Sequence, residues 1–567
     1  MSYLKHFNPG STPQSQPIPG RTMVKNNAGG YVFEVTNWDQ LNRFLILGSE
    51  GGTYYVSERK LTVDNADCIL KCLAEDGLRV VQTIVDISNS GRAFKNTPAI
   101  FALALAASYG LGKVNPIARP AKGNKKAEEA WQSADATRKA ALDAFASHKV
   151  VRTGTHLFQF IHYVSAYRGW GRGLHRACRQ WYANLPVDKL AYQVVKYPSR
   201  IVEEGVEKSR WSHRDILRKR LGASEDTNRN RVFDYAVHGR ENLWKDLSKI
   251  RAKDLRVIVG TEKAKAAKSA KEVAEIISEY QLPHEAVPTE FKKDPSVWGA
   301  LFPNMPLHAT VRNLGSMTAN GFLTPMSDVS SQIVSKLNDA EYIKKSRMHP
   351  LSLLVALKTY AQGKGFKGSL TWTPVREIVD ALNDAIYLSF DNVEKTGKKF
   401  LLSADVSGSM RGASCSGLQM LPASEAIAVM ALATAKAESA YHFEAFDTKL
   451  YSLSISPRQR IDDVIKSMNV GGGGTNCSLS INQACEQKKV YDGIVIYTDN
   501  ETWGHNMHPQ QAFEEYLQKV NPNAKLVVVA MTSTEMTIGD RNHPSVLNVV
   551  GFDTSTPQVI AEFIKGF

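Results

Sequence analysis

Leu401–Met410 reads LLSADVSGSM, an apolar run that ends in an acid and then places two serines at alternate positions. Asp405, Ser407 and Ser409 therefore form an oxygen cluster at a strand end. Around this stretch, helix and strand alternate: KKFLLSADVS is a strand, ASEAIAVMALATAKAES a helix, AYHFEAFD a strand, PRQRIDDVIKSM a helix, VYDGIVIYTD a strand and PQQAFEEYLQKV a helix. KLVVVAMT and LNVVGFD add strands, and TPQVIAEFIKGF is a closing helix. The strands are continuous apolar runs, which predicts a parallel sheet covered on both faces. Sites in such sheets form at the carboxyl ends of strands, where Asp405 and Asp499 both fall.

Three loops are expected to converge there. They supply Asp405, Ser407 and Ser409 from the first, Thr475 from GGGGTN, and Asp499 from YTDNE. Hydroxyls and carboxylates without sulfur or imidazole are hard ligands, suited to Mg²⁺ and also to Mn²⁺ rather than zinc. Gly471–Gly474 let the backbone bring Thr475 close to an ion, and no Lys-Ser or Lys-Thr pair follows to make a phosphate loop.

The N-terminal part is of another kind. Residues 397–567 carry 14 Lys and Arg against 17 Asp and Glu, whereas residues 1–396 carry 56 against 39. A net charge of about +17 on one part and −3 on the other predicts that the N-terminal body meets a polyanion, most simply nucleic acid. Residues 1–28, rich in Pro, Ser and Gln, lack the order of a secretory signal and are expected to form a disordered tail. Gly29–Leu61 begins with strand-like alternation, turns helical and breaks at Gly48, Gly51 and Gly52; from about Asp64 to Phe390 the pattern is overwhelmingly helical, as in VDNADCILKCLAEDG, AIFALALAASYG, THLFQFIHYVSAYRG, NLWKDLSKI and VREIVDALNDAIY, which suits a bundle or a stack of helix pairs. Asn37 is the expected cap of a helix over Trp38–Leu47. Ala118–Ala141, charged and alanine-rich, is expected to be a surface excursion with some helix in it.

The basic residues concentrate in Arg168–Arg220. Arg172, Arg176 and Arg179 lie at helical spacings of four and three, with His175 beside them. VVKYPSR contributes Lys196 and Arg200, and a later helix capped by Ser212 carries His213, Arg214 and Arg218. With Trp170, Trp181, Tyr182 and Trp211 nearby, these are the ingredients of phosphate contact and base stacking, and we assign the nine cationic residues to RNA. Trp181 and Tyr182 have an alternative reading as core.

Six cysteines at 68, 72, 178, 415, 477 and 485 form no CxxC pair, which fits a reducing, cytoplasmic setting. The most apolar run, Ala99–Ala107, is too short to span a bilayer, so no membrane association is expected.

The three-loop oxygen set resembles the metal-ion-dependent adhesion site of von Willebrand factor A (vWA) domains. That resemblance implies a cation held by Asp405, Ser407, Ser409, Thr475 and Asp499, with a free position for a partner's carboxylate. More broadly, GGYVFEVTNWDQLNRFLILGSEGGTYY, GWGRGLHRACRQWY, WSHRDILR, MPLHATVRNLGSMTANG, HPLSLLVALKTY, YTDNET and GFDT occur in the order seen in the Ro ribonucleoprotein family. The resemblance covers the chain from about Gly29 onward, except around Ala118–Ala141. It implies an α plus α/β architecture: a TROVE module of HEAT-like helical repeats over residues 29–390, forming a monomeric ring closed by a vWA domain over 391–567. It further implies binding of small noncoding Y RNAs on an outer basic surface and of single-stranded ends of misfolded or structured RNAs, with an exoribonuclease or other protein docking an acidic residue at the cation. The expected function is noncatalytic RNA quality control. Two alternatives are a cation-dependent protein-adhesion scaffold, which the charge split opposes, and a metal-dependent hydrolase using Glu501, His505 or His508, which the small number of carboxylates opposes.

Overall fold

The computed structural model describes residues 11–48, 66–93, 95–121, 123–204, 207–219, 221–239, 253–365, 369–390, 395–413, 421–532, 534–551 and 555–566. The expected helix NLWKDLSKI lies outside them. The C-terminal domain is built on a six-stranded sheet of β5 (Lys399–Asp405), β6 (Ala440–Phe446), β7 (Leu450–Ser452), β8 (Gly493–Thr498), β9 (Lys525–Ala530) and β11 (Val546–Val550). Their spatial order is β11-β9-β8-β5-β6-β7. All neighbours pair in parallel except the edge strand β7. Every residue of β8 is buried, which is why its sequence is apolar without alternation. The helix Thr556–Lys565 crosses so close that a Cβ on Gly493 would lie 2.4 Å from Ile564 Cδ1, so a larger residue at that strand position would make the isoleucine side chain shift.

The N-terminal body is helical, as expected. α1 (Asn37–Leu47), α2 (Asp67–Ser90), α3 (Thr97–Ser108), α4 (Lys125–Ala146), α5 (Gly154–Arg168), α6 (Arg172–Ala183), α7 (Val187–Lys196), α8 (His213–Leu217) and α9 (Thr227–His238) pack largely against their neighbours in the chain. From Arg256 to Leu388 further helices continue the stack. α3 is buried from Pro98 to Ser108, so the apolar run over Ala99–Ala107 is a central core helix.

Both ends of this body are fastened to the C-terminal domain. At the front, β1 (Val24–Lys25) pairs with β2 (Tyr31–Glu34), and β2 pairs antiparallel with β10 (Met536–Thr537). Arg43 on α1, 2 % exposed, donates to the carbonyls of Thr534 at 2.6 Å and Met536 at 2.8 Å. At the rear, Lys358 pairs with Glu425, Arg460 pairs with Asp380, and the Ile461 amide donates to Asn383 Oδ1 at 3.0 Å. The two ends of the body also meet each other, since His349 Nε2 donates to the Arg92 carbonyl at 3.2 Å.

Four expectations need correction. The cap of α1 is Thr36, whose hydroxyl and Asp39 form a reciprocal capping box, rather than Asn37. Ala118–Ala141 is a surface excursion only in its first part: the described residues up to Ser133 are exposed or half-buried, but from Lys125 the segment belongs to α4, a 22-residue helix whose Ala134, Thr137, Ala141, Ala144 and Phe145 are buried. Gly77 lets α2 lie so close to α4 that a Cβ there would fall 2.1 Å from Thr137 Oγ1. Arg200 and Trp211 belong to a hairpin, β3 (Ser199–Glu204) paired with β4 (Glu207–Ser212), inside a region whose pattern predicts helix throughout. Finally, residues 11–28 are no disordered tail but a strap on the C-terminal domain, pinned by Arg21 to Glu514 and Asp540 at 2.7 Å each.

Candidate cation site and nucleic-acid interface

β5 ends at Asp405 and its neighbour β8 ends at Thr498, which puts the two loops that follow side by side. Asp405 is fully buried; its Oδ1 accepts from the Ser407 amide at 3.0 Å and its Oδ2 from Thr498 Oγ1 at 2.6 Å. Ser407 and Ser409 are buried with hydroxyl oxygens 3.0 Å apart. The glycine loop reaches this cluster through Gly408, whose amide donates to the Gly473 carbonyl at 2.9 Å. Gly471 and Gly472 have φ of 78° and 106°, a backbone that other residues adopt only with strain. The Gly473 amide in turn donates to Asp447 Oδ2 at 3.0 Å, so the loop carrying buried Thr475 is tied to the residue after β6.

Asp499 is also fully buried. Its Oδ1 accepts from the Glu501 amide at 3.1 Å, while Oδ2 is sunk with no hydrogen-bond partner. Burial, and then the nearby Asp499 charge, push the Asp405 carboxyl well above the usual carboxylate range, and burial does the same to Asp499. Two adjacent buried acids with one orphaned oxygen and three hydroxyls around them are what a hard divalent ion would neutralise. The residues present therefore fit such a cation. Asp405, Ser407, Ser409, Thr475 and Asp499 would hold it, directly or through water, and its positive charge would supply an attachment point for a carboxylate. Among the described residues no group of three or more His, Cys, Asp and Glu side chains stands at metal-binding spacing, which leaves this hydroxyl-rich set as the candidate.

The cationic residues divide by exposure. Arg172, Arg176 and Arg179 are all exposed on α6, opposite a face that buries Leu174, Ala177, Cys178, Trp181 and Tyr182. Trp181 and Tyr182 are thus core, with the Trp181 indole donating to the Val151 carbonyl at 2.8 Å. His175 is half-buried and meets the Trp170 ring edge-on at 5.3 Å. Trp170 lies 6.4 Å from Trp211 on β4, and Lys219 stands 5.5 Å over the Trp170 ring. Arg210, Trp211, Asp215, Arg218 and Lys219 line an open hollow of about 470 Å³. The structure therefore brings the start of α6 and the hairpin–α8 junction together, with Arg214 and Arg218 exposed beside them.

Two residues assigned to RNA from the sequence do not stand with this group. His213 is 2 % exposed, wedged against Phe158 and Tyr182, and burial lowers its pKa to about 4. It is a core residue, with its Nδ1 2.9 Å from the Tyr182 hydroxyl. Lys196 is turned toward Glu285, 3.6 Å away, with most of its side chain covered. The side chain of Arg200 lies outside the described set. Arg210 and Lys219, not singled out from the sequence, belong to the hollow; the cation density of KSRWSHRDILRKR was the available signal.

Residues 24–359 match the TROVE domain family, and residues 399–564 match the Ro60 vWA domain. The chain is 37 % identical over 565 residues to the RNA-binding protein RO60 of Deinococcus radiodurans, covering 99 % of each. It is 33 % identical over 602 residues to the RNA-binding protein RO60 of Caenorhabditis elegans, covering 96 % of this chain and 90 % of the relative. The crystal structure of the Deinococcus radiodurans RO (RSR) protein superposes with a TM-score of 0.67 at 35 % identity, over 94 % of this chain and 100 % of that one. Fold and site together define a helical-repeat protein closed by a vWA domain. The chain belongs to the Ro60 family.

Proposed function

We propose that this protein is a noncatalytic RNA-binding protein that holds small noncoding Y RNAs on the face of α6 and α8 and receives single-stranded ends of misfolded or structured noncoding RNAs, acting in cytoplasmic RNA quality control. One observation carries the reading: three arginines of one helix stand exposed in a row beside an exposed aromatic and cationic hollow, in a chain whose relatives bear the name RNA-binding protein. Guanidinium forks supply bidentate phosphate contacts, and Trp170 and Trp211 offer faces for bases. In this reading Mg²⁺, or Mn²⁺, sits at the cluster of Asp405 and Asp499, and a partner such as an exoribonuclease docks there by an acidic side chain.

Sequencing of RNA copurified with the protein tests the reading. A Y-like small RNA supports it; absence of any enriched RNA together with no salt-sensitive RNA affinity in filter binding would leave the adhesion scaffold. Two of the three groups that a hydrolase reading would use are otherwise engaged. His508 Nε2 donates to the Gln16 carbonyl at 2.8 Å, and Glu501 is held by Asn27 and the Ala28 amide.

A further inference from the structure

The strap over residues 12–30 lies directly behind the loops that carry Thr475 and Asp499. Gln14 is fully buried and uses every polar atom it has. Its Nε2 donates to Asn476 Oδ1 at 3.1 Å and to the Met507 carbonyl at 2.8 Å, while its Oε1 accepts from Thr502 Oγ1 at 2.8 Å. Its amide donates to the His505 carbonyl at 2.7 Å, and its own carbonyl accepts from the Tyr31 amide at 2.8 Å. Asn476 is the neighbour of Thr475, and the Thr502 hydroxyl accepts from the Cys477 amide at 3.3 Å. One side chain from the front of the protein therefore bridges two of the three cation loops.

A second clamp acts on the Asp499 loop. Asn26 Nδ2 donates to the Thr502 carbonyl at 2.7 Å, and its Oδ1 accepts from the Gly30 amide at 2.8 Å. A Cβ on Gly30 would fall 2.1 Å from the Thr502 oxygen, so the strap can lie this close only with glycine there. Asn27 Nδ2 and the Ala28 amide each take one oxygen of the Glu501 carboxylate, at 2.7 and 3.1 Å. The Glu501 amide is the donor that fixes Asp499 Oδ1, while Oδ2 is buried with no hydrogen-bond partner.

We propose that Gln14, Asn26 and Asn27 are positioning residues of the cation site, so that the site is completed by the N-terminal strap and is not a property of the C-terminal domain alone. The inference rests on the reading of Asp405 and Asp499 as a cation site. Partners behind metal ligands set ligand orientation and their loss weakens metal affinity by about 10- to 100-fold. Without the strap, the Thr475 and Asp499 loops lose the bonds that tie them to Gln14, Asn26 and Asn27.

Isothermal titration of the full chain with MgCl₂ tests this, comparing wild type with Gln14→Leu, Asn27→Ala and Asp405→Ala. Gln14→Leu is expected to weaken Mg²⁺ binding about tenfold or more. Asn27→Ala, which removes a single bond at an exposed strap position, should weaken it while the thermal midpoint in EDTA stays at the wild-type value; it carries the test if Gln14→Leu does not fold. A merely structural strap would instead lower the EDTA midpoint and leave Mg²⁺ affinity unchanged. Wild-type affinity in the folded strap variants, with binding lost in Asp405→Ala, overturns this inference alone. Absence of Mg²⁺ and Mn²⁺ binding in the wild type overturns it together with the cation reading.

Discussion

Thr498 Oγ1 donates to Asp405 Oδ2 at 2.6 Å across 93 residues of sequence. The bond follows from the sheet: β5 and β8 are hydrogen-bonded neighbours, and each carries its polar residue at the carboxyl end. It fixes one of two buried acids that repel each other at close quarters, so a divalent ion should stabilise the fold by binding it. At Mg²⁺ a hundredfold above its dissociation constant, unfolding by denaturant should cost about 2.7 kcal/mol more than in EDTA. Asp405→Ala should abolish that increment. RNA affinity should stay within about twofold of wild type, since α6 shares no residue with the cation loops. A parallel loss of RNA binding in the folded variant would contradict the separation.

Charge reversal on α6 addresses the other surface. Arg172→Glu with Arg176→Glu should weaken binding of a structured small RNA by more than tenfold at moderate salt. The slope of log affinity against log salt should fall by about 1 for each phosphate that is no longer neutralised. Filter binding across a salt series measures both. Because the two side chains are exposed and the face beneath them is unchanged, the melting temperature should not move.

His213 makes a prediction about pH. Its folded pKa, lowered to about 4 by burial, lies below the usual histidine value, so the folded state resists protonation that the unfolded chain accepts. The stability it contributes is fully present above about pH 6.5 and is lost as pH falls toward 4, by about 3 kcal/mol over the window. Urea unfolding between pH 7.5 and 4.5 should show this slope, and His213→Asn should flatten it. Exchange of that histidine should leave RNA affinity nearly unaltered if the packing against Phe158 survives.

The contact between the two ends of the body can be tested at His349. Its Nδ1 accepts from the Leu351 amide at 3.2 Å, capping the helix Pro350–Ala361, while Nε2–H serves the Arg92 carbonyl, which assigns the neutral ring with the proton on Nε2. His349→Ala leaves a carbonyl and a helix start without these partners, at an expected loss of about 1–2 kcal/mol. Hydrogen exchange should rise at both Ser88–Arg92 and Met348–Leu351, segments that are remote in sequence.

Much of the site is legible in the sequence. The oxygen set of Asp405, Ser407, Ser409, Thr475 and Asp499 stands out because a covered parallel sheet writes itself as unbroken apolar strands, and polar residues at their carboxyl ends then need another explanation. The arginine row of α6 is legible for a similar reason, since spacings of four and three fix a shared face. The hairpin β3–β4 is not, because its strands read SRIVEE and EKSRWS, short, charged and without clear alternation. The strap is hidden because its composition is that of disordered chain; a run rich in Pro, Ser and Gln buries little apolar surface of its own.

The sequence by itself determined the alternation of the C-terminal domain, the helical character of the body, the charge split between them and the polar residues that end its strands. These are local properties, set by periodicity and residue chemistry within a few turns or strands. Only the tertiary structure decided that His213 is core while Arg214 beside it is exposed, that His349 meets Arg92, and that Gln14 completes the wall behind Thr475. Each of these depends on segments far apart in the chain coming together, where burial and hydrogen-bond partners are fixed by how whole elements pack and not by the residues that flank them.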